Sequence, residues 1–413
     1  MKTICVLTNW WPSKDNPLKG IFFKEQLNLL IDEYKFEVIS INYKTINLFS
    51  YIYKLVLNNC TRLFLIDTNS NLREYKFVCY RSKEYQLLLK IISVFVSKFK
   101  SNKRMGIGRY FSTLEKKLIY REMKKLSKHL NKFNLVYCLT SQNLIYQASI
   151  LSSINGTKLI ASEHGPFPAP GSSTSELDVI GLEEADEFLA ISFDKIRQIL
   201  LQNIKLKKIT CIGNLVDENV FTYSPIEHSC TTFIIVAAYS FYKNYELFLK
   251  TIEQLCKMSK SEFKVIIAGY NGNKQYCINA EELETKIKLS TFSDKVELIP
   301  FVERNKMNLL YNRADAFVMT SIQEGQPVSA LEAACCGLPI FSTKCGGVED
   351  YVDDDIGRLV NINDYEQLAE YLKQFLEKEI SFNPVNIRNK IISKFGTKAY
   401  KNKISQAFNS NIL

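Results

Sequence analysis

Ser321-Ile322-Gln323-Glu324-Gly325-Gln326-Pro327-Val328-Ser329-Ala330-Leu331-Glu332-Ala333-Ala334-Cys335-Cys336-Gly337-Leu338-Pro339 is the densest signal in the chain. It follows a β-type run, Ala316 to Thr320, so Glu324 and Gly325 fall in the loop at that strand's carboxyl end. Pro327 fits the first turn of a helix, Gly337 suits its left-handed C-terminal cap, and Pro339 forbids continuation. A helix starting at a sheet's carboxyl edge points free backbone N–H groups outward, a natural seat for phosphate oxygens. Glu324 and Glu332 then place two carboxylates near that anion site, where sugar hydroxyls can donate to them. Taken singly, each reads as an ordinary loop or helix glutamate.

The same strand-then-helix rhythm runs through the chain. Strands are expected at residues 4–8, 37–41, 135–139, 158–162, 188–191 and 209–212, and a second series at 232–237, 264–268, 296–300, 316–320 and 339–342. Between the series lies Phe221-Thr222-Tyr223-Ser224-Pro225-Ile226-Glu227-His228-Ser229, polar and broken by proline, which reads as an interdomain linker. The expected architecture is α/β, with two facing doubly wound Rossmann-like domains and an interdomain cleft. An amino-terminal domain at 1–222 precedes a carboxy-terminal domain at 223–395, and the helix at about 396–413 packs back on the first. A length of 413 residues, 46% of them apolar, suits two such cores.

Several motifs share a resemblance. Glu324-x7-Glu332, with Gly325 and the following Gly337-Leu338-Pro339, resembles the donor-sugar motif of the family 4 retaining glycosyltransferases, within the glycosyl transferases group 1 of GT-B fold. Thr343-Lys344-Cys345-Gly346-Gly347-Val348-Glu349 is similar to that family's next loop, and Thr8-Asn9-Trp10-Trp11-Pro12 through Gly20-Ile21-Phe22 to its opening strand, loop and helix.

The resemblance implies that His164, in Ser162-Glu163-His164-Gly165, contacts the donor sugar near the reacting carbon. It makes Lys243 the cation on the donor diphosphate, with Ala238 where many relatives carry an arginine. Glu324 orients the donor sugar and Glu332 binds the nucleotide ribose. The implied catalytic set is His164, Lys243 and Glu324, and the donor-binding set is Gly20, Gly269, Gly325, Gln326, Pro327, Val328, Ser329 and Glu332. Asn214 to Phe221 is similar to a family turn that shapes the hinge. No metal and no cofactor is expected, because Lys243 and helix N-termini can stabilise the leaving diphosphate. The expected function is transfer of a sugar from a nucleotide-diphosphate donor to a glycan or lipid-linked acceptor, in bacterial surface polysaccharide synthesis. A sugar-nucleotide epimerase on the same fold and a nucleic-acid-binding protein are the competing readings.

The eleven cysteines include no CxxC pair, and most sit in apolar runs, as small buried hydrophobes of a reducing compartment do. The start has no signal-peptide core and no run reaches the roughly 20 apolar residues of a bilayer span, so a cytoplasmic protein is expected, peripheral at most. The net charge of +10 concentrates between Lys98 and Lys132, where twelve basic residues face only Glu115 and Glu122. With the apolar run at 87–96 before it, residues 87–132 read as a surface for anionic membrane rather than for nucleic acid.

Overall fold

The computed structural model describes all residues except 14, 15, 17, 18, 58, 69, 70, 86, 88–106, 166, 168–172, 228, 272–278 and 413, and the backbone alone of 107–114. Most of the apolar run at 87–96 and the first part of the basic stretch therefore lie outside the described residues. The chain divides into two units, one of residues 1–190, 197–210 and 404–413, the other of residues 191–196 and 211–403.

The first unit is built on an eight-stranded sheet ordered β3-β4-β2-β1-β5-β6-β7-β8. Its strands are β1 (Lys2–Thr8), β2 (Tyr34–Thr45), β3 (Thr61–Thr68), β4 (Leu72–Arg81), β5 (Leu135–Cys138), β6 (Lys158–Glu163), β7 (Glu187–Ala190) and β8 (Ile209–Cys211). The sheet is central and covered on both faces, so β1 and β5 are continuously apolar: Ile4 to Leu7 and Leu135 to Cys138 are all inaccessible. The sequence reading misses β3 and β4. Strand β3 pairs antiparallel with β4 at the sheet edge and leaves Phe64, Leu65 and Ile66 exposed. It lacks the inward-outward alternation that marks a half-buried strand.

The last ten residues belong to this unit. Tyr34 Oη donates to Asn409 Oδ1 at 3.0 Å, Phe408 packs edge-on against Tyr34 and Tyr137, and Asn411 Nδ2 donates to the buried Glu187 at 2.6 Å.

The second unit carries a six-stranded parallel sheet ordered β11-β10-β9-β12-β13-β14. These are β9 (Thr231–Val236), β10 (Phe263–Ala268), β11 (Val296–Ile299), β12 (Ala316–Met319), β13 (Ile340–Thr343) and β14 (Gly357–Val360). Alternate residues divide between two cores. Phe233, Ile235, Val265, Ile267 and Val318 face one layer, while Ile234, Ile266 and Phe317 face the other. That two-sided burial is what a doubly wound parallel sheet requires.

Two boundary expectations change. The division falls at residue 211 rather than after 222, because Val216 and Phe221 are buried in the second unit's core. The stretch expected as a linker is a docked strap. Thr222 N donates to Asn308 Oδ1, Ser224 N to Asn312 Oδ1 and Ile226 N to Asn312 O, at 2.9, 2.6 and 2.9 Å. Its backbone donors find partners in two asparagines, one in the helix Met307–Tyr311 and one just after it, which composition alone does not reveal.

Candidate functional site

In the second unit, β9 and β12 are neighbours whose chains continue to opposite sides of the sheet, to β10 and to β13. The carboxyl ends of two such strands flank a crevice where ligands bind in open parallel sheets. The residues after β9 turn through a 3₁₀ helix, Phe241–Lys243, and enter the helix Tyr245–Met258 through Asn244, which adopts φ 46° and caps Leu247 N. The residues after β12 carry Glu324.

The two loops are joined by Lys243 Nζ and Glu324 Oε1, 2.5 Å apart, and by Ile322 N donating to Tyr242 O at 2.8 Å. Ser321 Oγ donates to the same carboxylate oxygen at 2.7 Å, and Thr320 Oγ1 to Lys243 O at 3.0 Å. The structure thus brings together two candidates 81 positions apart. Neither is deeply buried, their side chains being 27% and 14% exposed, so an incoming anion can compete for the ammonium group.

Glu324 is also held from behind. Its N–H donates to Cys345 O at 2.7 Å, and it forms a parallel bridge with Gly346. The two glycines after Cys345 make this approach possible. Gly346 takes φ 124°, and a Cβ there would lie 2.4 Å from Glu324 O. A Cβ on Gly347 would lie 2.0 Å from Gly325 O. Only backbone without side chains can pack this closely.

The helix Val328–Cys335 follows directly, with Pro327 at its N-cap rather than inside the first turn. Val328 and Ser329 open the helix, where the first N–H groups have no intrahelical acceptor. The expected C-terminal cap is present: Gly337 takes φ 85°, its N–H donates to Ala334 O, and Leu338 N donates to Ala333 O. This is a Schellman ending.

Two donor-binding candidates have protein partners. Gln326 is buried, its Oε1 accepting from Asn214 N at 2.5 Å and its carbonyl from Asn214 Nδ2 at 2.9 Å. Its side chain therefore fastens the 214–221 turn, and its backbone is the part left at the helix entrance. Glu332 is 3% exposed, pairs with Arg304 Nη1, and accepts from Tyr311 Oη at 3.0 Å. Arg304 also stacks on Phe221, 5.0 Å from its ring centre. Nothing in the sequence marks Arg304, one of two cations in a polar turn with Lys306, whereas Tyr311 lies in the stretch leading into β12. Burial, and after it the neighbouring Glu332 carboxylate, raises Tyr311's hydroxyl well above its ordinary pKa.

Gly269, after β10, takes φ 75° with open space where a side chain would project. Its conformation requires glycine, and the space beside it remains clear for a ligand. Beyond Gly346, Glu349 accepts from Gly346 N at 2.9 Å and Asp350 from Phe193 N at 2.8 Å. Burial, followed by repulsion from Asp194, raises both carboxyl groups above their usual range.

The first unit holds the other two candidates at its own sheet's carboxyl edge. Gly20 caps the helix Ile21–Asn28 with φ 65°, and a Cβ there would meet Trp10 O at 2.6 Å. This explains the glycine by backbone packing. His164 follows β6 and packs edge-on against Phe23, with ring centres 4.7 Å apart. Glu163, beside it, accepts from Gln142 N and Gly165 N at 2.8 and 2.9 Å, which shapes the turn that carries the imidazole.

Ten cysteines are free among the described residues, and burial raises the thiols of Cys5, Cys79 and Cys138 and takes that of Cys335 up to about 12. Such thiols are inert packing groups. No group of three or more His, Cys, Asp or Glu suited to a metal occurs among the described residues, and no helix there is long and apolar enough to cross a membrane.

Residues 216–396 match the family described as "Glycosyl transferases group 1". Over 254 residues the chain is 22% identical to a phosphatidylinositol N-acetylglucosaminyltransferase subunit of Arabidopsis thaliana, covering 60% of this chain and 55% of that protein. It is 28% identical over 132 residues to UDP-Gal:alpha-D-GlcNAc-diphosphoundecaprenol alpha-1,3-galactosyltransferase of Escherichia coli, 31% of this chain and 34% of that one. The chain spans about half the length of the curated relatives it matches. Among solved structures, Anabaena HepE in complex with UDP superposes with a TM-score of 0.68 over 99% of this chain and 100% of its own, at 15% identity. The GT-B fold expected from the sequence is the fold of this chain, and the resemblance to group 1 glycosyltransferases is borne out over residues 216–396.

Proposed function

We propose that this protein is a retaining, metal-independent glycosyltransferase of family 4 that moves a sugar from a nucleotide-diphosphate donor to a glycan or lipid-linked acceptor. The observation that carries this reading is the Lys243–Glu324 pair at the β9/β12 switch point, directly before the helix Val328–Cys335. Donor diphosphate oxygens would draw Lys243 toward themselves and accept from the N–H groups at that helix entrance. The freed Glu324 carboxylate, still held by Ser321, would accept from hydroxyls of the donor sugar. Charge building on the departing diphosphate is then met by a fixed cation and oriented amides, the largest contribution in reactions of this type.

Glu332 serves the ribose in this scheme, its carboxylate oriented by Arg304 and Tyr311. In the same scheme Gly20 and His164, both in the first unit, would serve the acceptor side, and His164 would contact the sugar being transferred. Relatives named for diphosphoundecaprenol-linked and phosphatidylinositol acceptors support a lipid-linked acceptor, and relatives named for amylovoran and colanic acid biosynthesis support a role in bacterial surface polysaccharide synthesis.

The test is transfer from a panel of nucleotide sugars to a polyprenyl-diphosphate-linked glycan, without added metal and with EDTA. Glu324→Ala and Lys243→Ala should each lower turnover at least about 100-fold, the scale of losing one transition-state contact, while keeping the wild-type melting profile. Full turnover in both variants overturns the assignment. Appearance of an epimerised donor without acceptor would identify an epimerase instead.

A further inference from the structure

The helix Leu48–Val56 is amphipathic in the sense opposite to an ordinary surface helix. Tyr51 faces inward, wholly buried against Tyr85, while Phe49, Ile52, Tyr53, Val56 and Leu57 form an i, i+3, i+4, i+7, i+8 stripe turned to solvent. Phe49 and Val56 are 85% and 78% exposed. Soluble monomers rarely leave a contiguous apolar surface of this kind uncovered unless it binds something.

The charge around the stripe is predominantly positive, Glu84 beside Tyr85 being an exposed exception. No acidic residue occurs from Val38 to Ile66, which carry Lys44, Lys54 and Arg62. In the helix Ile107–Ser127 and just beyond, Lys117, Arg121, Lys124 and Lys128 recur at helical spacing on the exposed side, opposite the buried Ile119, Met123 and Leu126. The two regions adjoin. The ammonium groups of Lys54 and Lys125 both act on the Cys60 thiol, and Arg62, Phe64 and Leu65 share a groove with His129. Glu122 is the acid of this helix nearest the junction, and it is buried in a bidentate pair with Arg81.

We propose that the apolar stripe of the helix Leu48–Val56 docks this protein on an anionic lipid bilayer, the side chains entering the interface and the adjoining cations resting on lipid phosphates. A second copy of the chain fits less well, since a two-fold contact would set this positive surface against itself. An apolar face ringed by lysine and arginine matches the apolar boundary and negative headgroups of a bilayer. The docking element is thus a described helix, whereas the sequence pattern pointed to residues 87–132.

The experiment is sedimentation of the full chain with phosphatidylglycerol–phosphatidylcholine vesicles and with pure phosphatidylcholine vesicles. It needs no sugar nucleotide and is independent of the proposed reaction. Wild type should bind the anionic vesicles at least about tenfold more tightly, since each cation near such a surface is worth about fivefold. Phe49→Ser with Val56→Ser should weaken binding at least about tenfold at every salt concentration, as apolar contacts are not screened. Lys117→Glu with Lys124→Glu should flatten the salt dependence. Unchanged binding of the serine double variant overturns the proposal. So does absence of wild-type binding, and a dimer, seen by light scattering, that the serine variant dissociates would then identify a second copy of the chain as the occupant. A Val56→Trp variant gives a second reading, and an emission spectrum that does not move to the blue on adding anionic vesicles also overturns it.

Discussion

Gly347→Ala tests whether the backbone packing behind Glu324 sets the candidate site. The added Cβ would lie 2.0 Å from Gly325 O, 2.9 Å from Gly325 C and 2.9 Å from Gln326 Cα. Real Cβ atoms essentially never approach within 3.0 Å, so the 324–326 loop and the 346–347 turn must separate by about 1 Å. All three opposing atoms are backbone, which leaves no flexible side chain to yield. Overpacking of this kind costs about 1–3 kcal/mol. In a unit of this size the melting midpoint should fall by about 2–4 °C for each kcal/mol. The loop that moves is the one carrying Glu324 and the helix entrance, and a displacement of about 1 Å at reacting groups lowers turnover by about 100-fold. The assay pairs a thermal melt with transfer kinetics, using Gly156→Ala as the control. Gly156 also has a left-handed φ, 63°, but nothing lies within 4 Å of its Cβ, so it incurs backbone strain of about 1–2 kcal/mol without moving the site. Gly347→Ala with wild-type turnover, or an equal loss of turnover in both variants, refutes the reasoning.

Tyr311→Phe removes one of the donors to the buried Glu332 carboxylate and should lower stability in urea by about 1.5–3 kcal/mol, the range for hydrogen bonds to charged groups. A change below about 0.5 kcal/mol would show that the contact contributes nothing. Asp350→Asn should raise the melting temperature near neutral pH, because burial and Asp194 disfavour the ionised carboxylate while Asn retains an acceptor for Phe193 N. A folded-state pKa above the unfolded value makes the wild-type contribution fully present at low pH and lost as pH rises through the folded pKa. The gain should therefore vanish below the carboxylate range, and a gain that is the same at all pH values would count against this cause.

Much of the second unit's site was legible because its signals are local. The strand before Glu324, the helix at 328–335 and the glycine at its end each depend on a few adjacent residues, and the Gly337 cap forms as expected. The start of the helix is less sharply specified, and Pro327 stands one position outside it. The roles of Gln326 and Glu332 were harder to read, since their partners lie 112 and 28 positions away. Arg304 had no signal at all. The docked strap at 222–226 reads as a linker along the chain for the same reason: its proline and polar residues suit both, and only Asn308 and Asn312 decide between them.

By itself, then, the sequence determined the alternation of strands and helices and the positions of the glycines, because periodicity and backbone conformation are short-range properties, and the resemblance of its motifs to a known family supplied the GT-B class. Tertiary structure alone decided that Lys243 meets Glu324, that Gly347 lies against Gly325, and that the stripe on the helix Leu48–Val56 faces solvent. An apolar stripe reads the same along the chain whether it faces a core or water, and only the placement of its neighbours tells the two apart.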